Sequence, residues 1–174
     1  ILIAVKTTVI CLLLGYPIAY FIARSSERLQ NILILCITIP MWINMLVRTY
    51  PWIGLLSEGG LVQRFFGLFG LGDMELLYTE GSVLLGMVYN FLPFMILQIQ
   101  TALSKMDHSL LEASADLGAN PRQTFQRVIL PLSLPGVING ITLVFLPAVS
   151  SLFIPKLLGG GQYFLLGNMI ENQF

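Results

Sequence analysis

The chain has 174 residues, of which 56% are hydrophobic and 10% charged. Soluble domains carry about 25% charged residues, so this composition, with a mean hydropathy of +0.82, excludes an ordinary water-soluble domain and points to a membrane. Nine basic residues balance nine acidic ones, which leaves no positive footprint for nucleic acid.

The sequence opens at Ile1 in mid-apolar sequence, with no charged n-region or cleavage site before it, and reads as an internal piece of a longer membrane protein. A spanning helix needs about 20 mostly apolar residues. Uncharged runs lie between Lys6 and Arg24, Arg28 and Arg48, Glu80 and Lys105, and Arg127 and Lys156. They predict four spans, roughly 2–23, 29–50, 81–103 and 131–155. The stretch 157–170 is also uncharged, but it is short and holds Gly159-Gly160-Gly161. It reads as a re-entrant or interfacial segment. Pro17, Pro40, Pro93, Pro135 and Pro147 punctuate the spans. Each frees a backbone carbonyl, either as a simple packing kink or as a helix broken along a transport path.

Short loops rich in Lys and Arg face the cytoplasm. Arg24 and Arg28 flank the first loop, and Lys105, Arg122 and Arg127 lie in or beside the loop between the third and fourth spans. Residues 104–130 are therefore expected inside and residues 56–80, with Glu58, Asp73, Glu75 and Glu80 against Arg64, outside. Cys11 and Cys36 sit in apolar runs without a Cys-x-x-Cys pattern, and the lone His108 has no companion ligands, so no metal site is expected.

The inner loop is the most polar part of the chain. Ser109 and Glu112 have the spacing of a capping box, Gly118 marks a helix end, and Asn120, Pro121 and Gln123 open a second helix. Phe125, Val128, Ile129 and Leu132 follow at helical spacing on one face, while Glu112 and Asp116 share a face four residues apart. Such a capped pair, exposed and partly apolar, suits docking of another protein. A DNA-reading helix–turn–helix fits poorly, because Glu112 and Asp116 oppose the two arginines within it.

Glu112-Ala113-Ser114, then Gly118, then Val128-Ile129-Leu130-Pro131 resembles the EAA motif of ABC importer inner-membrane permeases: EAA, three residues, Gly, nine residues, I-x-L-P. Ser114 replaces the usual alanine and Val128 the usual isoleucine. The resemblance implies an all-α, polytopic transmembrane permease of the type I-like ABC importer architecture, in the inner membrane of a bacterium. Residues 1–174 would form a single partial permease domain of about four spans, the family's six lacking the first and last, and 104–130 its coupling loop. That loop docks on a separate ATPase subunit in the family, which assigns coupling roles to Glu112, Ala113, Ser114, Asp116, Gly118, Arg122, Leu130 and Pro131. The small Ala113 and Ser114 permit close approach of a partner. The implied partners are the ATPase, a second permease subunit, an extracytoplasmic substrate-binding protein and membrane lipid. No cofactor of its own is implied, ATP being bound by the partner. In keeping with this, Gly159-Gly160-Gly161 lacks the Lys-Ser/Thr of a phosphate-binding loop.

Four further stretches resemble the polyamine (spermidine/putrescine) importers: "LGYPIAYFIA" at 14–23, "IPMWINMLVRTY" at 39–50, "NFLPFMILQIQTALSKMD" at 90–107 and "LLGNMIENQF" at 165–174. Polar groups at membrane depth mark a path, and Asn44, Asn90 and Asn139 qualify. Trp42, Tyr50 and Tyr89 lie near them and offer ring faces to ammonium groups, although Trp42 and Tyr50 also suit an interfacial belt. The expected path residues are Trp42, Asn44, Tyr89, Asn90 and Glu171, the one carboxylate of the closing segment. Arg48 would repel a polycation and reads as a span-end anchor. The same machinery carrying ferric iron, thiamine or an aminophosphonate is the competing expectation. A membrane-anchored helix–turn–helix regulator and a secondary transporter with inverted repeats are the other two.

Overall fold

The computed structural model describes residues 1–57, 59–67, 77–151 and 153–160, and within them every regular element is helical. Three long helices form its centre. α1 is Leu2–Arg24 and α5 is Glu80–Ser104. The third is α8, Leu130–Ser150, which continues without a break from Pro121 into one 30-residue apolar rod. Between α1 and α5 lie α2 (Glu27–Thr38), α3 (Met45–Leu56) and α4 (Leu61–Gly67). The inner loop holds α6 (His108–Asp116) and α7 (Pro121–Thr124), and α9 is Phe153–Leu158.

The local chemistry of α5 shows why it starts where it does. Thr79 accepts from the Ser82 amide at 3.2 Å, and Glu80 occupies the first turn, where a negative charge suits the helix dipole. Lys6 of α1 pairs with Glu80, and at the opposite end of both helices Arg24 and Leu103 line one cavity. α1 and α5 thus run parallel, and Arg24, Arg28 and Lys105 gather at the same end.

Lipid removes most of the hydrophobic drive for helices to associate, so close packing decides. Met87, Met95, Ile99 and Val144 are fully buried between the three long helices. Gly136 and Gly140, a G-x-x-x-G pair on α8, lie against α5. A Cβ at Gly136 would stand 2.8 Å from the Gln98 carbonyl oxygen, and one at Gly140 would stand 2.6 Å from the Met95 sulfur. The missing side chains let the two backbones approach. Across α1 and α8, Tyr16 donates to Ser133 Oγ at 2.9 Å, because the Ser133 proton is already given to the Leu130 carbonyl. Leu13, Phe21, Ile138 and Leu146 face outward, as lipid-facing side chains do.

The spans depart from expectation at two places. The span expected at 29–50 is not one helix. α2 runs into a 3-10 turn at Ile39–Trp42, and the segments Glu27–Trp42 and Met45–Arg64 meet at 92°. Pro40 lacks a donor for the α2 ladder, and Asn44 starts a new helix by accepting from the Leu46 amide at 2.9 Å. Pro17, Pro93, Pro135 and Pro147 interrupt no helix. Among the described residues, three helices are therefore long and apolar enough to cross a membrane, or four if the bent pair counts as one span. Secondly, the fourth span does not begin at 131. A π-helical turn, Phe125–Ile129, joins α7 to α8, so the second short helix of the inner loop is the first turn of the last span. Of the closing segment 157–170, residues 161–170 lie outside the described residues, as does Glu58.

Candidate functional site

The inner loop forms a hairpin held by its own polar groups. Asp107, not Ser109, caps α6, its carboxylate accepting from the Ser109 amide at 2.9 Å. The box expected from Ser109 and Glu112 is absent. Both Asp107 and Ser109 are competent caps, and helix formation begins at the earlier one. At the far end Gly118 adopts φ +75°, with its amide on the Ala115 carbonyl at 2.8 Å and the Ala119 amide on the Ser114 carbonyl at 3.1 Å. These two bonds satisfy the last carbonyls of α6 in a Schellman arrangement, which needs a residue at positive φ. The expected box at Asn120 and Gln123 is present, each side chain accepting from the other's amide at 2.9 Å.

Ser114 takes a different role from the one its size suggests. It is only 8% exposed, so it does not face a partner. Its hydroxyl donates to the Leu111 carbonyl at 2.8 Å and lies 3.0 Å from Thr124 Oγ1, which makes Thr124 the donor of the second bond. That bond stitches α6 to α7. Glu112, Ala113, Asp116, Arg122, Leu130 and Pro131 are all exposed, and Leu117 at the turn is 88% exposed. The stripe expected from Phe125, Val128, Ile129 and Leu132 is split by the π turn, whose extra residue shifts the helical phase. Phe125 packs edge-on to Tyr16 at 6.0 Å and Tyr20 at 5.7 Å, Ile129 is buried, and Leu132 turns outward.

The second constellation lies far from the hairpin. Asn90 is 1% exposed and sits ten residues into α5 from Glu80, about 15 Å along the axis at 1.5 Å per residue. With α5 as a spanning helix that starts at Glu80, this is midway through a hydrocarbon core about 30 Å thick. Its amide donates to Thr49 Oγ1 at 3.2 Å and to the Gly86 carbonyl at 2.8 Å. Its oxygen accepts from Arg48 Nη2 at 2.6 Å and Nε at 3.0 Å. Arg48 Nη1 also donates to the Pro40 carbonyl at 3.2 Å. The guanidinium stands 5.5 Å from the centre of the Tyr89 ring, and Trp52 meets that ring edge-on at 5.3 Å.

Of the expected path residues, Tyr89 and Asn90 come together here. Asn44 spends its side chain on the α3 cap, and Trp42 is 87% exposed, with no ring partner among the described residues. Asn139 lines a separate cavity of about 580 Å³ between α5 and α8, with Gln98 and Thr101. Glu171 lies outside the described residues. Arg48, expected as a span-end anchor, is half-buried and turns its head onto Asn90 and the Pro40 carbonyl. Arg48, Thr49 and Trp52 belong to the cluster although the sequence reading left them out. The available signal was a charge inside an otherwise apolar run, four residues before a tryptophan.

The bundle and its hairpin define a multi-pass helical membrane protein. The chain belongs to the family of binding-protein-dependent transport system inner membrane components, which matches residues 15–173. It is 39% identical over 173 residues, 98% of its length, to the spermidine/putrescine transport system permease protein PotB of Salmonella typhimurium strain SL1344. It is 41% identical over 169 residues, 96% of its length, to the protein of the same name in Haemophilus influenzae, of which it covers 59%. The inner membrane ABC transporter permease protein YdcU of Escherichia coli K12 is 37% identical over 184 residues, with 98% of this chain and 58% of that protein covered. The chain spans 60% of the Salmonella protein's length. It is a multi-pass inner-membrane protein.

Proposed function

We propose that this chain is the membrane-spanning part of an ATP-driven importer that moves a polyamine, spermidine or putrescine, into the cell. A separate ATPase subunit, a second permease and an extracytoplasmic binding protein complete the machine, and ATP hydrolysis belongs to the ATPase. The observation that carries this reading is the identity of 39% to a spermidine/putrescine permease across 98% of the chain. The hairpin supports the coupling role. Its exposed Glu112, Ala113, Asp116 and Arg122 face the cytoplasm and meet the ATPase. The rod Pro121–Ser150 carries motion of the hairpin directly into a spanning helix, and the Ser114–Thr124 bond makes α6 move with it.

For the cargo, a polycation in transit needs contacts that are weak and replaceable. Aromatic faces offer about 0.5–2 kcal/mol each to an ammonium group. Trp42, Tyr89 and Asn90, with Glu171, are the residues proposed to line the route. Radiolabelled spermidine uptake by the complete importer in proteoliposomes tests this. Trp42→Ala and Glu171→Gln should each lower uptake several-fold at unchanged protein level and basal ATPase. Unchanged uptake in both removes them from the route. An importer that ignores polyamines and carries ferric iron or thiamine overturns the cargo and leaves the permease role standing.

A further inference from the structure

Arg48 is a fixed positive charge near mid-membrane, and among the described residues no carboxylate pairs with it. Such residues are costly and are retained for a task. An interfacial anchor extends its head to water, whereas this head is folded onto the buried Asn90. Among the described residues its acceptors are neutral oxygens: the Asn90 side-chain and main-chain oxygens and the Pro40 carbonyl. Dipoles of this kind hold a cation firmly enough to order it and weakly enough to exchange it. The Tyr89 ring, braced by Trp52, offers a cation-binding face beside Asn90, and the guanidinium already lies 5.5 Å from its centre.

We propose that Arg48 is a resident cation, occupying the cation subsite of Tyr89 and Asn90 in the resting permease and yielding it to an ammonium group of the cargo. This rests on the polyamine reading above. Arginine suits the task because its planar fork spans two acceptors at once. Here the fork reaches both α5 and the Pro40 carbonyl at the bend between α2 and α3. When a cargo ammonium takes Tyr89 and Asn90, the link from the bend to α5 is released with it. Arrival of cargo and freedom of the bent pair are thereby coupled by one side chain. The resident charge also blocks small cations, since anything that enters must displace it.

Equilibrium dialysis on the purified complete permease complex, without binding protein, tests the assignment with two probes, radiolabelled spermidine and tetramethylammonium. Arg48→Gln, or Arg48→Met, sheds the charge and should bind both probes at least tenfold more tightly than wild type. Adding Tyr89→Leu should abolish that gain. Arg48→Lys keeps the charge and should gain less than threefold. The proposal is overturned by no gain in the neutral variants, by a gain that survives Tyr89→Leu, or by a tenfold gain in Arg48→Lys. The last result decides the matter even if the neutral variants do not assemble. If the wild-type importer carries no spermidine yet Arg48→Gln still gains for tetramethylammonium, the cargo reading falls and the resident cation stands. If it carries spermidine and no gain appears, the resident cation alone falls.

Discussion

The hairpin between α5 and α8 and the cluster around Arg48 are built on opposite plans. Most of the hairpin's polar contacts join residues within five positions of each other, as in the Asn120–Gln123 box and the bonds about Gly118. The cluster joins Arg48 to Asn90, 42 residues away, and reaches across the bend at Pro40. A surface proposed to dock another subunit must keep its shape in water, and local caps serve that end. A polar group at membrane depth has no water to fall back on, so it must find partners on other helices. The hairpin's polar contacts are made mostly within itself, whereas those of the cluster join residues on different helices.

The contrast is broken most severely at Asn90. Asn90→Leu strips the Arg48 guanidinium of its side-chain acceptor and removes the amide that donates to Thr49 Oγ1. Leaving such groups unmatched costs about 3 kcal/mol. Thermal unfolding of the detergent-solubilised complex should shift downward by several degrees, with faster amide exchange in α3 as well as α5. An unchanged midpoint would mean that the cluster does not tie the helices together.

Asn120→Ala makes the smaller, local counterpart. Loss of an N-cap costs about 1 kcal/mol. Exchange should quicken within Pro121–Thr124 and the turn at Gly118 and stay unchanged in α5. Spread of the effect into α5 would show that the hairpin is not an independent unit.

The same contrast explains what the sequence revealed. The positive-φ glycine and the second capping box were legible because their partners lie a few positions away. α1, α5 and the last span were legible as uncharged runs between charges. The start of α6 was misplaced by two residues because Asp107 and Ser109 both signal a cap. The break at Pro40 was hidden, since prolines elsewhere sit inside continuous helices, and what separates α2 from α3 is the Asn44 cap as well as the proline. The π turn leaves no mark in residue spacing, so the stripe ending at Leu132 was drawn one phase too far. Arg48 was misread because its acceptor is on another helix and only the assembled bundle supplies it.

In the coupling proposed above, the hairpin transmits ATPase motion to the spans through a turn that only a residue at positive φ can make. Gly118 has open space where a Cβ would go, so substitution there acts through the backbone and not through a clash. Valine at φ +75° is strained by about 1–3 kcal/mol. The direct measurement is spermidine-stimulated ATPase activity of the reconstituted Gly118→Val importer beside its basal rate. The expected result is an inserted, assembled complex whose basal rate persists and whose stimulation is lost. Stimulation at the wild-type level would show that the turn at Gly118 does not carry the coupling.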